Sequence, residues 1–423
     1  MAPITDHPLR YTLANELHAR PFPSIGAPSQ AAYLAMARVG GQGRDAERAH
    51  LIDLLDRFGA AHPQPDATHF SGAMGRFTLK WESHSEFVTY TIFVEGTDEK
   101  AFSADAFDVF PEDWLMSAPG QRVTSALIRV EKAPEDEVIA AKAHAWLVQE
   151  SMAISRVLDD SIVVAADFRI DPAGHIRFAL FTDPTVGPQR IGRVIQRMCE
   201  IETYKAMAML GLSHARDMGG DLAQADARLS GLLSDMANDT SDPARVLEQL
   251  LDVSGQVEII GVNSAYRFAA TQAYAQIVDQ RIEVLREERF MGRQTFGEFM
   301  MRRFDPAMRT VTATERRLRA MSDRAQRAGE LLRTKVDVDR SAQNQVLLSS
   351  MDKRADLQLR LQKTVEGLSV VAVSYYAVNI ALYTLGPVEK AFGLSKTLLA
   401  AGVTPITLLC VWLLLHRLRK HWE

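Results

Sequence analysis

The stretches LSVVAVSYYAVNIALYTL, residues 368–385, and TLLAAGVTPITLLCVWLLL, residues 397–415, contain no charged side chain. A helix rises about 1.5 Å per residue, so roughly 20 residues cross the ~30 Å hydrocarbon layer. Both stretches have that length. The competing reading, two helices of a protein core, is disfavoured because core helices of this length normally keep a charged face for water. The pair is therefore predicted to form a transmembrane hairpin, and the lipid bilayer becomes the first partner the chain implies.

Basic residues give the orientation. The tail His416-Arg-Leu-Arg-Lys-His-Trp-Glu423 and the approach through Lys353, Arg354, Arg360 and Lys363 outweigh the link, where Lys390 and Lys396 stand against Glu389. The positive-inside rule places both flanks, and both termini, in the cytoplasm. Residues 416–423 are then a basic cytoplasmic tail. Within the first span Tyr375, Asn379 and Tyr383 recur every four residues and share a helix face. Thr404 and Thr407 flank Pro405 in the second, where a kink is expected. This polar stripe suits hydrogen bonding between helices, and less well a path across the membrane, because it has no ionisable group.

Residues 1–366, ahead of the hairpin, read as the soluble part. Composition is that of a globular protein, with 47% hydrophobic and 24% charged residues. A net charge of -5 excludes a general nucleic-acid binder. Two cysteines, Cys199 and Cys410, provide neither an internal disulfide within the soluble part nor a multi-cysteine zinc site. The N-terminus has no basic region leading into an apolar run, so it is not a secretory signal.

Residues 1–185 read as an α+β domain built on a mixed or antiparallel sheet. Ala31 to Val39 is a strand and Arg44 to Phe58 a helix, followed by strands His69 to Trp81 and Phe87 to Glu95. Gln121 to Val130 and Glu135 to Val148 repeat the strand and helix. Ser161 to Ile170 and His175 to Phe181 form a hairpin across Asp171-Pro-Ala-Gly174. Ser151 to Leu158 adds a strand or extends the preceding helix. Both halves read strand, helix, strand, strand, the pattern of an internal duplication.

Residues 186–366 read as helical, beginning at Gly187-Pro188 and broken near Asp242-Pro243, Gly292 and Asp305-Pro306. Leu318, Met321, Ala325, Ala328 and Leu332 alternate by threes and fours, and Leu348, Met351, Ala355, Leu359, Leu361, Val365 and Leu368 resume the pattern. That seam suits either a coiled-coil-like stalk, with a homo-oligomer as consequence, or packing on the chain's own domain. Gly219 to Glu258 is acidic and Arg281 to Arg333 arginine-rich. The arginines suit anionic headgroups, but interleaved Glu283, Glu287, Glu288 and Glu315 favour pairing along the helix.

Signatures of chemistry are sparse. Gly41-Gln-Gly43-Arg-Asp-Ala46 has the spacing of a dinucleotide fingerprint, yet the strand that follows belongs to an antiparallel hairpin where a parallel unit is required. A glycine-rich turn is the better reading. His7, Arg10, Asn15, Glu16, His18 and Arg20 form the densest polar constellation, a candidate binding segment. His18 with Glu16 falls short of a metal's ligand count, so no metal site is assigned, no catalytic residue is named, and any cofactor is unknown. Glu200 and Glu202, two apart on a helix, do not share a face and are expected to be solvated or paired with Arg197 and Lys205.

His7-Pro-Leu-Arg10, Asn15-Glu-Leu-His-Ala-Arg-Pro-Phe22, Glu200-Ile-Glu-Thr-Tyr204, Leu331-Leu-Arg-Thr-Lys-Val-Asp337 and Glu366-Gly-Leu-Ser-Val-Val-Ala-Val-Ser-Tyr-Tyr376 run along nearly the whole chain. On these the chain resembles a bacterial family of uncharacterised membrane-anchored proteins, domain-of-unknown-function family 3422. The resemblance implies an inner-membrane location and no established activity. A looser architectural similarity is to CorA-type divalent cation channels. Their Gly-Met-Asn signature closes the first span, whereas Ala377-Val378-Asn379 here lies mid-span and the outer link lacks an acidic cluster. Three functions are compatible with these features: a self-associating sensor or scaffold module, a CorA-like channel without the usual filter, and an enzyme using the N-terminal His/Arg segment.

Overall fold

A computed structural model describes residues 4–16, 22–38, 43–237, 242–387 and 395–422. The chain divides into two compact units, residues 1–241 with 248–329, and residues 242–247 with 330–423. The first unit holds a mixed nine-stranded sheet, so the protein is α+β.

The first half of the sheet comprises β1 (Ser29–Arg38), α2 (Arg44–Arg57) and strands β2 (His69–Met74), β3 (Phe77–Ser83) and β4 (Phe87–Glu95), after a short α1 (Arg10–Glu16). The second comprises β5 (Gly120–Lys132), α4 (Asp136–Trp146) and strands β6 (Ala153–Val157), β7 (Ile162–Ala166) and β8 (Ile176–Thr182), with α3 (Glu112–Met116) between the halves. The order is β2-β3-β4-β1-β5-β8-β7-β6-β9, where β9 is Glu288–Arg289. Outward from the centre, each half runs first, fourth, third, second strand. Polarity differs: β4 is antiparallel to β1, whereas β8 is parallel to β5. The connection from α2 to β2 (residues 58–68) is longer than that from α4 to β6 (147–152), so the two hairpins enter from opposite ends.

Two sequence expectations change here. His69 to Trp81 is not one strand, because Gly75, at φ +63°, turns it into the β2–β3 hairpin. Ser151 to Leu158 does contribute a strand, so each half reads strand, helix and three strands. β7 stops at Ala166 because Asp167 turns the chain: its carboxylate accepts from the Val148 and Arg169 amides at 2.9 and 3.1 Å. Since β1, α2 and β2 form no parallel unit, the geometry a dinucleotide fingerprint needs does not arise.

Helices cover both faces. On one, α2 packs Leu51, Leu54 and Leu55 against Leu34, Trp81 and Tyr90, and α4 packs Ile139 and Ala143 against Ile154 and Phe181. On the other lie α5 (Pro188–Asp217), α7 (Pro243–Leu285) and α8 (Phe296–Arg303), whose Ile195, Val278 and Phe296 share a core with Tyr33, Ile128 and Phe178. Pro188 occupies the first turn of α5, where a missing N–H costs nothing. A Cβ on Gly192 would come within 1.7 Å of the Pro23 carbonyl, so glycine there lets the strap 22–28 lie across α5.

α6 (Gly219–Ala237) and the start of α9 (Asp305–Thr384) complete this unit. The arginine-rich stretch pairs mostly between elements: Arg281 with Glu200, Arg286 with Asp159, and Arg317 and Arg324 with Asp226. Among the interleaved glutamates, Glu315 pairs along its helix with Arg319, while Glu287 accepts the amides of Phe296 and Gly297 and so caps α8.

In the second unit α9 continues to Thr384, and α10 (Lys396–Trp422) returns beside it. One cleft between them is lined by Asn379, Tyr383, Leu399 and Ala400, another by Val370, Val373, Trp412 and Leu415, which fixes the pair as an antiparallel hairpin. Both helices are long and apolar enough to cross a membrane. α10 runs through Pro405, and Thr404 donates to the Ala400 carbonyl at 2.7 Å.

Candidate functional site

A buried polar cluster lies on the first half of the sheet, beneath α5. Strand register builds it. Lys80 stands opposite Thr91, which stands opposite Tyr33; Glu82 stands opposite Thr89, which stands opposite Ala35. These two cross-strand rows face Gln196, Cys199, Glu200 and Thr203 of α5, residues whose spacing of three and four puts them on one helical face. Pro23, His84 and Tyr204 complete the narrow crevice.

The charges in it are matched. Lys80 Nζ donates to Gln196 Oε1 at 2.6 Å and lies 3.2 Å from Glu82 Oε2. Gln196 donates to Glu200 Oε1 at 2.8 Å, and Glu200 in turn holds Arg281. Two residues on, on another face of α5, Glu202 accepts from Lys205 at 2.7 Å and from Thr124 of β5 at 3.2 Å. In the linked series, Lys80 and Arg281 thus meet Glu82 and Glu200. A chain of this kind is costly to break at one member, because the remaining charge stays buried.

Glu202 is buried, contrary to the expectation of a solvated pair; Lys205 is its partner as expected, but Glu200 pairs with Arg281 and not Arg197. Lys80, Glu82, Thr89 and Thr91 were not singled out from sequence. Alternation of polar with apolar residues was the available signal, and such a pattern says only that two faces differ.

The crevice is chemically quiet. Burial pushes the Cys199 thiol well above its ordinary range, and a thiol that stays protonated is a poor nucleophile. Burial also raises the Tyr33 phenol, which hydrogen-bonds Thr203. At the mouth, His84 stacks on Phe87 at 4.4 Å, with Tyr204 edge-on to that ring at 5.7 Å. Among the described residues no group of three or more His, Cys, Asp or Glu side chains is arranged to hold a metal.

Of the N-terminal constellation, His7 and Arg10 are exposed and engaged locally. His7 Nδ1 accepts the Leu9 amide at 3.1 Å, and Arg10 pairs with Asp6. Asn15 and Glu16 lie in α1, and their side chains, with His18 and Arg20, fall outside the described residues. Phe22, which follows, sits 5.0 Å beneath the Arg193 guanidinium, and Pro23 reaches the crevice.

In the polar stripe of the first apolar helix, Tyr375 and Tyr383 are exposed, and the half-buried Asn379 donates to the Tyr375 carbonyl at 3.0 Å. Thr407 donates to the Val403 carbonyl at 2.8 Å. Asn379, Thr404 and Thr407 thus donate to carbonyls of their own helices.

Sheet, crevice and hairpin together define an α+β protein with a C-terminal pair of helices able to cross a membrane. None of the curated proteins matches the sequence. The chain belongs to the family described as "Protein of unknown function (DUF3422)", whose sequence model matches residues 5–422.

Proposed function

We propose that this chain is a non-enzymatic sensor or scaffold module of the bacterial cytoplasm, hung from the inner membrane by its C-terminal hairpin and self-associating. One observation carries the reading. In the unit containing residues 330–423, apolar side chains of both helices are open on nearly all sides; only 6% of the first apolar window and none of the second is buried. A core helix would be covered by protein. Lipid covers such a surface without any further element.

The sensor or scaffold assignment rests on the soluble unit. The crevice beneath α5 presents matched charges, a protonated thiol and aromatic walls, a combination that binds or transmits better than it reacts. The His/Arg segment lends little to an enzyme reading, because His7 and Arg10 already have local partners.

Alkaline carbonate washing of vesicles tests the anchor: the intact chain is expected to stay with the lipid, and its release would overturn the proposal. Protease added outside sealed spheroplasts is expected to leave residues 1–366 whole. Uptake of Mg2+, Co2+ or Zn2+ by liposomes holding the purified chain would overturn the reading in favour of a pore.

A further inference from the structure

We infer that the rim where α5 meets the end of α7 binds a phosphate group, held by Arg193 and Arg197 with Arg281 and Arg286 beside them. This goes beyond the reading above and does not depend on the membrane hairpin. Helical spacing builds the first part of the site. Arg190, Arg193, Arg197 and Glu200 follow one another by three and four residues, so they share a stripe of α5. Arg281 lies near the end of α7 and Arg286 directly after it.

Contacts bring the two sets together. Arg281 holds Glu200, and Arg197 donates at 3.3 Å to the Val284 carbonyl, one of those that the end of α7 leaves open. Asp159, in the turn between β6 and β7, holds Arg286 at 2.7 Å and lies 3.6 Å from Arg190. That turn is tied to the same helix end. The Leu158 amide donates to the Leu285 carbonyl at 3.0 Å, and the Leu158 carbonyl accepts from Arg190 at 2.8 Å.

Here the charges do not balance. The five guanidiniums of residues 190, 193, 197, 281 and 286 stand against two carboxylates, Asp159 and Glu200, an excess of three positive charges. Arg193 lies over the Phe22 ring at 5.0 Å and Arg197 on a neutral carbonyl; among the described residues neither forms an ion pair. Glu283, between Arg281 and Arg286 in sequence, lies about 160° round the helix from Arg281. Burial, and then the charges of Arg193 and Arg281, lower the Arg197 guanidinium below its ordinary value, as crowding of like charges does. An anion from outside the chain relieves that crowding.

The excess selects the ligand's chemistry. A carboxylate brings one negative charge, whereas a phosphate monoester carries about −1.5 to −2 at pH 7 on three acceptor oxygens. Guanidinium forks meet such oxygens two at a time. Arg193 and Arg286 are exposed and reachable from water, while the half-buried Arg197 supplies a fixed contact beneath them.

Thermal unfolding of the full-length chain in detergent, buffered without phosphate, tests this with inorganic phosphate as the probe. Sodium phosphate is expected to raise the unfolding midpoint saturably, and sodium chloride of the same ionic strength is not. Arg193→Gln with Arg197→Gln is expected to raise the half-saturating concentration at least about tenfold. Arg76→Gln, in the β2–β3 turn at the opposite edge of the sheet, is expected to leave it unchanged. Equal responses to phosphate and chloride, or a response that survives the double change, would overturn the site. If the double variant does not fold, Arg193→Gln alone decides: this exposed side chain should weaken the response about threefold, and no change overturns the proposal. Nanodiscs separate the two sources of phosphate. A lipid headgroup is the ligand if discs containing phosphatidic acid already show the raised midpoint and added phosphate moves only the phosphatidylcholine discs. Free phosphate is the ligand if both discs respond alike.

Discussion

The two halves of the sheet share strand order but differ in what they turn toward the helices. Beneath α5, the first half presents Tyr33, Lys80, Glu82, Thr89 and Thr91. The second presents Ile128, Val157, Ile162, Val164 and Phe178 to α5, α7 and α8. One scaffold therefore carries a polar seam on one side and an ordinary apolar core on the other. Apolar packing alone would have sufficed for stability, as it does in the second half. Holding Lys80, Glu82 and Glu200 beneath α5 costs desolvation that only good pairing offsets.

The largest effect is expected in the apolar half, at the buried pair of Asp167 with Arg177. Asp167 is fully buried, bonds Arg177 at 2.7 Å and holds two backbone amides. Asp167→Asn leaves the guanidinium without its anion and should cost about 3–5 kcal/mol in urea unfolding of the detergent-solubilised chain. A loss below 1 kcal/mol would mean that this half tolerates charge as the other does.

Lys80→Met comes next, because its crevice is open at one end to water. Removing the cation takes the 3.2 Å ion pair from Glu82 and the hydrogen bond from Gln196 Oε1, and a loss of about 2–3 kcal/mol is expected. The double change Lys80→Met with Glu82→Gln should recover part of it, as neutralising both members of a pair does. If the single change is silent, the matched-charge description of the first half is wrong.

Gly192→Ala probes the strap that crosses only this polar half. The added methyl meets the Pro23 carbonyl, so strap or helix must shift, at about 1–3 kcal/mol. Faster trypsin cleavage near Arg20, measured against wild type, would accompany that shift.

How legible was this in the sequence? The helical breaks at Gly187-Pro188, Asp242-Pro243 and Asp305-Pro306 coincide with helix starts, because proline and capping residues act locally. The apolar hairpin was readable for a similar reason, its signal being length without charge. Strand polarity was not readable, since it depends on which end of the sheet a loop reaches. Nor was the crevice. Lys80 and Glu82 look like residues on a solvent face until α5, more than a hundred positions later, is laid over them. The arginine-rich stretch misled in the same way: its partners Glu200, Asp159 and Asp226 are far off in sequence, while of the nearby glutamates Glu287 caps α8 and Glu315 alone is shown pairing along its helix, with Arg319.

The smallest expected effect is a pH dependence shared by both halves. Each buries one histidine: His50 is stacked on Trp114 at 3.8 Å, and His175 bonds Ser125 at 2.9 Å. Burial lowers both imidazoles below their ordinary value, so they fold neutral. In the unfolded chain they take up a proton near pH 6.5, and the folded chain resists it. The unfolded state then binds more protons, so stability is full above that range and falls on acidification through it. Unfolding midpoints between pH 7.5 and 5.5 should therefore drop, and the drop should shrink in both His50→Gln and His175→Gln. His50 contacts Trp114 and Tyr90 in the first half, whereas His175 lies beside Phe107 and Ser125 at the centre of the sheet. A slope that vanishes with one substitution alone would assign acid sensitivity to that half, which the near-identical burial of the two rings (6% and 4% exposed) argues against.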